Sequence, residues 1–477
     1  MRARKRKRTR TCIPTSTWQG TLACSRNLCR IGGHPQHVLA RTDYASISAK
    51  QVVLISGGGS GHEPAHAGFI GEGMLTGAVL GGVFASPSSA AVLSAIKALA
   101  GPPGCLLIVK NYTGDRLNFG IAMEKARAAG IKCEMCIVGD DCALPKDKGI
   151  TGRRGIAGTL FVHKCAGAAA AAGKNLEQVT AEARAAADSV ASMGVALTTC
   201  TLPGAAPNPR LDGDLVEIGL GIHGEPGAEQ CKWRPCDELV DEALKSILDP
   251  IKGGDNQPYL APAAGSQVAV LINSLGGTPP MEIAVIGRRI VESLTARGLV
   301  VARCASGALM TSLDMAGFSV SLLLLTPERA SLLDAPTSAP AWPVVHDLTA
   351  PAAAAVADPL SGESSSALSG SGLEPAVAAK VKSAAEALVA AEPQLTEWDM
   401  VAGDGDCGIT MKRGASRVLQ DMAQYPSAAD GALLALAESV KESMGGERCC
   451  AERKRSGNCC VCLRTQTQTQ AQAQTLA

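Results

Sequence analysis

Aromatic side chains are scarce in this 477-residue chain, with Trp 4, Tyr 4 and Phe 5, or 3% in all. Stacking platforms for successive bases cannot be assembled from so few, which argues against single-stranded nucleic acid as a partner. Net charge is also lacking. Lys and Arg number 45 and Asp and Glu 44, leaving +1, without the one-signed field of a general nucleic-acid binder. No run of about 18 apolar residues occurs, so no membrane-spanning helix is expected.

What is present fits a globular chain. Hydrophobic residues make up 46% and charged residues 19%, enough for aliphatic cores, and the length predicts two or three domains at roughly 150 residues each. The 52 glycines exceed the usual share of about 7% and predict loops in which backbone comes close to a ligand. Most of the 18 cysteines stand singly in apolar runs, as Cys105, Cys165, Cys200 and Cys304 do. They read as small buried hydrophobes in a reducing compartment rather than as a disulfide framework.

The pattern between the two ends is α/β. Val52 to Ile55 is an apolar run ending at Ser56-Gly57-Gly58-Gly59, and Leu106 to Val109 is another ending at Lys110-Asn111. Both read as buried strands that open into polar loops. Helices are expected over 118–130 and 176–192, with a strand over 132–138 between them. Near Ser266 a second lobe shows its pattern: strand 268–273, a Gly-Gly-Thr-Pro-Pro turn, a helix to about 297, then strands over 299–301 and 318–325. Such alternation predicts largely parallel sheets covered on both faces. The Pro/Ala/Ser/Gly-rich stretch 336–373 reads as a flexible linker, and 374–446 as helical except for the Gly403–Gly408 loop.

Both ends differ from the middle. Residues 1–42 contain no Asp or Glu and begin with a basic run through Arg10. A transit peptide, a nucleic-acid-binding arm and sequence that does not fold all remain open. Residues 447–477 combine Cys449, Cys450, Cys459, Cys460 and Cys462 with a low-complexity Thr/Gln/Ala run; the cysteine spacing matches no standard zinc finger.

Four segments carry residues suited to chemistry. The first, Ser56 to His66, contains an H-E-x-x-H string (His62, Glu63, His66). A zinc site needs both histidines on one helical face, and Pro64 within the span breaks that geometry. No Gly-Lys-Ser/Thr follows the glycines, so a P-loop is ruled out. There remains a loop crest where backbone N–H groups and His62 meet a small polar ligand. In the second, Lys110 to Phe119, Asp115 reads as a general base with Lys110 as ligand donor, or else as a helix-capping residue in a turn. In the third, Gly219 to Gly227, His223 lies among glycines, free to present its ring or simply a loop histidine. In the fourth, Asp399, Asp404 and Asp406 lie among glycines, a hard-oxygen set suited to Mg²⁺ held for nucleotide phosphates.

Taken in order, SGGGSGHEPAHAG, IVKNYTGDRLNFG, GRRGIAGT, GLGIHGEPG, LINSLGGTPP and AGDGDCG closely resemble the ATP-dependent dihydroxyacetone (glycerone) kinases, including the triokinase/FMN cyclases. The resemblance spans about 37–446. It implies a two-lobed α/β kinase domain over 37–335, with its second lobe from about 195, then the linker 336–373 and an all-α Mg-ATP-binding domain over 374–446. Residues 1–36 and 447–477 are left unmatched. It further implies that His223 holds the ketone as a covalent hemiaminal, that Asp115 takes the proton of the terminal hydroxyl, and that His62 assists by hydrogen bonding. Gly59, Ser60, Gly61 and Lys110 would line the substrate pocket. Asp399, Asp404 and Asp406 would hold Mg²⁺, and Asp406, Cys407, Gly408 and Ile409 would approach the ATP phosphates. The family further implies a cytoplasmic homodimer in glycerol catabolism, acting on dihydroxyacetone and also glyceraldehyde; an organellar location follows if the basic start is a transit peptide. After Gly446 the family continues with further helices, whereas here unrelated sequence follows. The expectation is therefore a truncated nucleotide domain, with a ketone-binding protein lacking independent kinase activity as the alternative. FMN cyclase activity would depend on that domain.

Overall fold

Short apolar runs flanked by glycine or polar residues become strands, and the helices between them cover the sheets. The computed structural model describes residues 12–32, 37–144, 152–206, 208–211, 213–250, 258–350 and 370–444. The basic run before Cys12 and the cysteine-rich stretch 447–477 lie outside the described residues. These fall into two compact units, 12–350 and 370–444.

The first unit begins with α1 (Cys12–Cys24), β1 (Leu28–Ile31), β2 (His37–Arg41), α2 (Tyr44–Ser48), β3 (Val53–Ser60), β4 (Gly77–Val83), α3 (Ser89–Leu99), β5 (Cys105–Lys110), α4 (Thr113–Ala128) and β6 (Cys133–Val138). Its six strands form one sheet in the order β1-β2-β4-β3-β5-β6. The strands β4, β3, β5 and β6 are parallel, and β1 and β2 complete one edge antiparallel. Part of the stretch expected to be unmatched before residue 37 belongs to this fold, since β1 pairs with β2 and Trp18 is buried.

The chain continues through α5 (Thr159–Ala171), α6 (Leu176–Asp188), β7 (Val190–Ala196), β8 (Leu215–Ile218), β9 (Glu229–Lys232), α7 (Cys236–Leu248), β10 (Gln267–Ser274), α8 (Pro280–Ala296), β11 (Val300–Gly307), β12 (Gly317–Leu324), α9 (Pro327–Asp334) and β13 (His346–Asp347). The second sheet has the order β13-β11-β10-β12-β7-β8-β9. Here the expectation of a largely parallel sheet is corrected. Only β10 and β11 are parallel; every other neighbouring pair is antiparallel. The cause is the connections: α8 supplies the long crossover that parallel neighbours β10 and β11 need, whereas β7, β8 and β9 are consecutive neighbours with no α-helix described between them and pair antiparallel.

Three local differences bear on the site. Helix α4 starts at Thr113 rather than near 118, which places Asp115 in its first turn, where the helix dipole favours a carboxylate. Helix α6 starts with a capping box between Asn175 and Gln178 and stops at Asp188, so the rest of the predicted helix is strand β7. Every residue of β7 is buried, and a strand covered on both faces lacks the alternation that marks a strand in sequence. The first part of the expected linker is packed. Ala341 N–H donates to the Gly68 carbonyl, Ala339 is buried, and His346–Asp347 pairs with β11.

The cores follow the aliphatic composition. On α8, Ile283, Ile286, Ile290 and Leu294 are buried at helical spacing, each worth about 1.5–3 kcal/mol if fully removed from water. Helix α5 is buried along almost its whole length, in a core shared with residues of both sheets. The two sheets are tied by Asp140, whose carboxylate accepts from Ile156 N, Gly158 N and Ser192 Oγ at 2.7, 2.9 and 2.5 Å. These bonds offset the cost of a buried charge.

The second unit contains α10 (Pro375–Ala390), α11 (Glu392–Ala402), α12 (Cys407–Asp421) and α13 (Ala429–Met444). Its small core comprises Ala385, Ala415, Val418, Tyr425 and Ala435. Buried Asp421 accepts from Arg417 Nε and Ser439 Oγ at 2.6 and 2.8 Å.

Candidate active site

His223 lies in the connection between β8 and β9, which the alternating glycines allow to turn back sharply. Its Nδ1 is 2.6 Å from Glu225 Oε1, and its backbone N–H donates to Glu225 Oε2 at 2.9 Å. A carboxylate only accepts, so Nδ1 carries the hydrogen and Nε2 is directed away from Glu225. That Nε2 is 3.0 Å from Nε2 of His62.

His62 is fixed from its other side, with Nδ1 2.7 Å from the Thr311 carbonyl oxygen. The carbonyl requires Nδ1–H. Burial, reinforced by the charges of Lys110 and His223, holds the His62 ring well below the usual imidazole range and hence neutral. Its Nε2 is therefore an acceptor. The Phe84 ring stacks on His62 with centroids 4.9 Å apart and 17° between planes, and Phe84 and Tyr112 both meet the His223 ring edge-on.

Lys110 ends β5 and is fully buried, so desolvation lowers its ammonium pKa against the opposing pull of Asp115 and Glu225. Asp115 is 4% exposed, and its Oδ1 has no partner. Burial raises its carboxyl pKa, opposed by Lys110 and by a hydrogen bond from Ser86. A Cβ placed on Gly58 would lie 3.7 Å from Lys110 Nζ and 3.8 Å from Asp115 Oδ2, so this glycine floors the space shared by ammonium and carboxylate.

The other predicted pocket residues have packing duties. Ser60 Oγ donates to the Gly81 carbonyl at 2.8 Å. A Cβ on Gly59 would strike the backbone of Phe84 and Ala85, and Gly61 has φ of +109°, a conformation that suits glycine. The zinc reading of H-E-x-x-H does not hold. His62 faces His223, whereas His66 Nδ1 is 3.4 Å from Ser56 Oγ and its ring meets His163. A cavity of about 670 Å³ lies elsewhere, lined by Ser274–Ala284 and Ser306–Ala308 residues, and none of the predicted site residues lines it.

In the second unit Asp399, Asp404 and Asp406 each offer a carboxylate oxygen, all within 4.8 Å of one another. Asp404 beside Asp406 raises the Asp406 carboxyl pKa, as like charges do. Hard oxygen donors crowded in this way suit Mg²⁺. Asp399 has a second duty: its Oδ2 accepts from the backbone N–H of Gly405, Asp406 and Cys407 at 2.9, 2.8 and 3.0 Å, which holds its carboxyl below the ordinary range. Asp406 to Ile409 form the start of α12. A Cβ on Gly408 would overlap α11 at Glu392 and Thr396.

The residues that the motifs did not single out are Glu225, Phe84, Tyr112, Gly58 and Thr311. Glu225 stands two residues after His223, a spacing that only this loop turns into a contact. Phe84 is one of five phenylalanines and follows Gly81-Gly82-Val83, a signal in a chain so poor in aromatics. Thr311 acts through its carbonyl, for which sequence has no mark.

Comparison with known proteins gives consistent results. The Dak1 domain family matches residues 19–341, so the match begins earlier than residue 37. Human triokinase/FMN cyclase is 42% identical over 435 residues, covering 90% of this chain and 74% of that protein. The crystal structure of the dihydroxyacetone kinase of Citrobacter freundii superposes with a TM-score of 0.67 at 36% identity, covering 92% of this chain and 82% of that one. The same enzyme in complex with AMP-PNP and Mg²⁺ gives 0.66, again at 36% identity, covering 92% and 83%. On the matched range, the identities and the structural superposition, the chain belongs to the dihydroxyacetone kinase family.

Proposed function

We propose that this chain transfers the γ-phosphoryl group of ATP to dihydroxyacetone, and also to glyceraldehyde, while His223 holds the carbonyl compound as a hemiaminal. The observation that supports this most is the His223–Glu225 pair, which turns Nε2 away from Glu225 and toward Nε2 of His62. The 3.0 Å contact needs one hydrogen between the two Nε2 atoms, carried by His223 because His62 Nε2 is the acceptor. Once His62 takes that proton, the Nε2 lone pair of His223 adds to the carbonyl carbon. The π electrons of the carbonyl move to its oxygen, which takes the proton back from His62 Nε2, while the Nδ1 proton passes to Glu225 and leaves the substituted imidazole neutral. Addition of this kind selects aldehydes and ketones over glycerol, which has no carbonyl.

Asp115, with its unpartnered Oδ1, accepts the proton of the terminal hydroxyl as that oxygen attacks phosphorus. Lys110 stabilises the ionised form of Asp115, and the acceptor Nε2 of His62 receives a hydrogen bond from substrate. Asp399, Asp404 and Asp406 would hold Mg²⁺, which when bound neutralises the triphosphate charge. Such a division fits phosphoryl transfer, in which the protein supplies position and charge more than covalent chemistry.

Two measurements test the reading. With dihydroxyacetone labelled with ¹³C at C2, a protein-bound tetrahedral carbon signal is expected, absent in His223→Ala. No such signal in the parent chain would overturn the hemiaminal. Coupled detection of ADP with Mg-ATP tests the transfer: a bound ketone with no ADP release would leave a ketone-binding protein instead.

A further inference from the structure

The loop that presents His223 contains Gly219, Gly221, Gly224 and Gly227, of which Gly219 and Gly224 have positive φ. So many glycines make a loop that is costly to hold in one conformation, yet the proposed chemistry needs one imidazole nitrogen aimed within a fraction of an ångström. Ser312 Oγ donates to the Ile222 carbonyl and Arg210 Nη1 to the Gly224 carbonyl at 3.3 Å, but the two ends of the loop are held together by another residue far away in sequence. Arg154, in the GRRGIAGT motif that the reaction itself does not use, donates from Nη2 to the Gly219 carbonyl at 2.8 Å and from Nη1 to the Pro226 carbonyl at 3.3 Å. These carbonyls stand on either side of His223.

The third nitrogen of the guanidinium, Nε, donates to Asp141 Oδ2 at 2.7 Å, with both side chains less than 10% exposed. Asp141 is itself fixed, its Oδ1 accepting from Ala143 N at 2.9 Å, and its N–H donates to the Arg154 carbonyl at 3.0 Å. A Cβ on Gly221 would fall 2.6 Å from Arg154 Nη1 and would overlap Glu225 Oε2. Guanidinium and carboxylate thus flank the same glycine, and Arg154 lies beside the group that orients His223. A buried ion pair is a poor source of net stability, whereas a rigid fork with three separate acceptors is well suited to fixing a shape.

We infer that Arg154, anchored by Asp141, is a positioning residue for His223: it clamps both sides of the loop and so holds the His223–Glu225 hydrogen bond in register. The inference rests on the reading of His223 as the ketone-holding group, but its first test does not. In proton NMR of the ligand-free chain, the His223 Nδ1–H shared with Glu225 is expected as a strongly downfield resonance, assigned by its loss in Glu225→Gln. Arg154→Ala is expected to lose that resonance at unchanged circular dichroism, and millimolar methylguanidinium to restore it. The same variant is expected to lose about 10- to 100-fold in kcat/KM, the loss of a charge-assisted clamp, with partial recovery in methylguanidinium.

Should Arg154→Ala not fold, Arg154→Lys decides: it keeps the charge without the fork and is expected to fold and to lose the resonance. Retention of the resonance in whichever variant is folded overturns the inference, as does its loss from Arg154→Ala without recovery in methylguanidinium. A parent chain with the resonance but no bound tetrahedral carbon leaves the Arg154 clamp standing and overturns the hemiaminal.

Discussion

His223 Nδ1 lies 2.6 Å from Glu225 Oε1, inside a loop where neither residue is held by regular structure. Burial pushes the Glu225 carboxyl up, but the hydrogen bond and charge of His223 outweigh it and pull the carboxyl down to about 2. A carboxyl depressed from 4.5 on folding contributes stability that is present above the unfolded value and lost as pH falls toward 2. The pair is therefore intact on the carboxylate side throughout the neutral range. Glu225→Gln keeps the shape and removes the charge that supports proton loss from Nδ1. We expect kcat/KM for dihydroxyacetone to fall by about 10²-fold or more, and the melting temperature at neutral pH to fall as well, since the stability carried by the depressed carboxyl goes with the charge. Steady-state kinetics at parental rates would remove Glu225 from the chemistry.

Asp115 shows the opposite shift. Desolvation raises its carboxyl above the ordinary value, so the ionised form is less favourable in the folded chain than in the unfolded one. Two results follow. Activity that needs ionised Asp115 should decline as pH falls through the raised folded pKa, at a higher pH than a free aspartate would give. Asp115→Asn should lower kcat by about 10²- to 10⁴-fold and, by removing a buried charge with one unpartnered oxygen, should raise the melting temperature. A variant that is both active and less stable than the parent would contradict both.

Much of this site was legible because its groups follow buried strands. Val52–Ile55 and Leu106–Val109 announce their strands, and Lys110 and Asp115 are found by looking just beyond the second. His223 stands out among glycines. What sequence hid was set by tertiary contact. Strand β7 is covered on both faces and so reads as a continuation of α6. The second sheet is mainly antiparallel because, of the consecutive strands that pair in it, only β10 and β11 are joined by a crossover helix, and apolar runs carry no sign of strand direction. Glu225 and Arg154 reach their partners only after β8 and β9 pair, and Thr311 contributes a backbone atom. Residues 336–350 have a linker's composition, yet their N–H groups find carbonyl partners on the first unit.

The two glycines Gly58 and Gly61 separate binding from folding. A methyl group on Gly58 enters ordinary contact with Lys110 and Asp115 without striking backbone, so Gly58→Ala should fold and raise KM for dihydroxyacetone several-fold. Gly61 has φ of +109° and faces the Phe84 ring at under 3 Å from a would-be Cβ. Gly61→Ala should cost about 1–2 kcal/mol from the backbone alone, displace the ring stacked on His62, and lower the melting temperature. Thermal denaturation with KM measurement on both variants checks the contrast; an unstable Gly58→Ala or a neutral Gly61→Ala reverses it.

The three aspartates of the second unit should likewise not behave alike. Asp404 and Asp406 crowd one another, and the like charge of Asp404 raises the Asp406 carboxyl; a divalent cation relieves that repulsion. Asp404→Asn and Asp406→Asn should therefore weaken Mg²⁺-dependent nucleotide binding while leaving the metal-free fold intact or slightly firmer. Asp399 accepts three backbone N–H groups where the loop enters α12. Its loss strips the start of that helix of its acceptor as well as removing one carboxylate of the proposed cation site. Asp399→Ala should consequently lower the unfolding midpoint in EDTA, where no metal effect operates, and the other two should not. Calorimetric Mg-ATP titration alongside thermal unfolding in EDTA makes the comparison, and equal unfolding midpoints for all three variants would show that the backbone bonds of Asp399 are not what holds the loop.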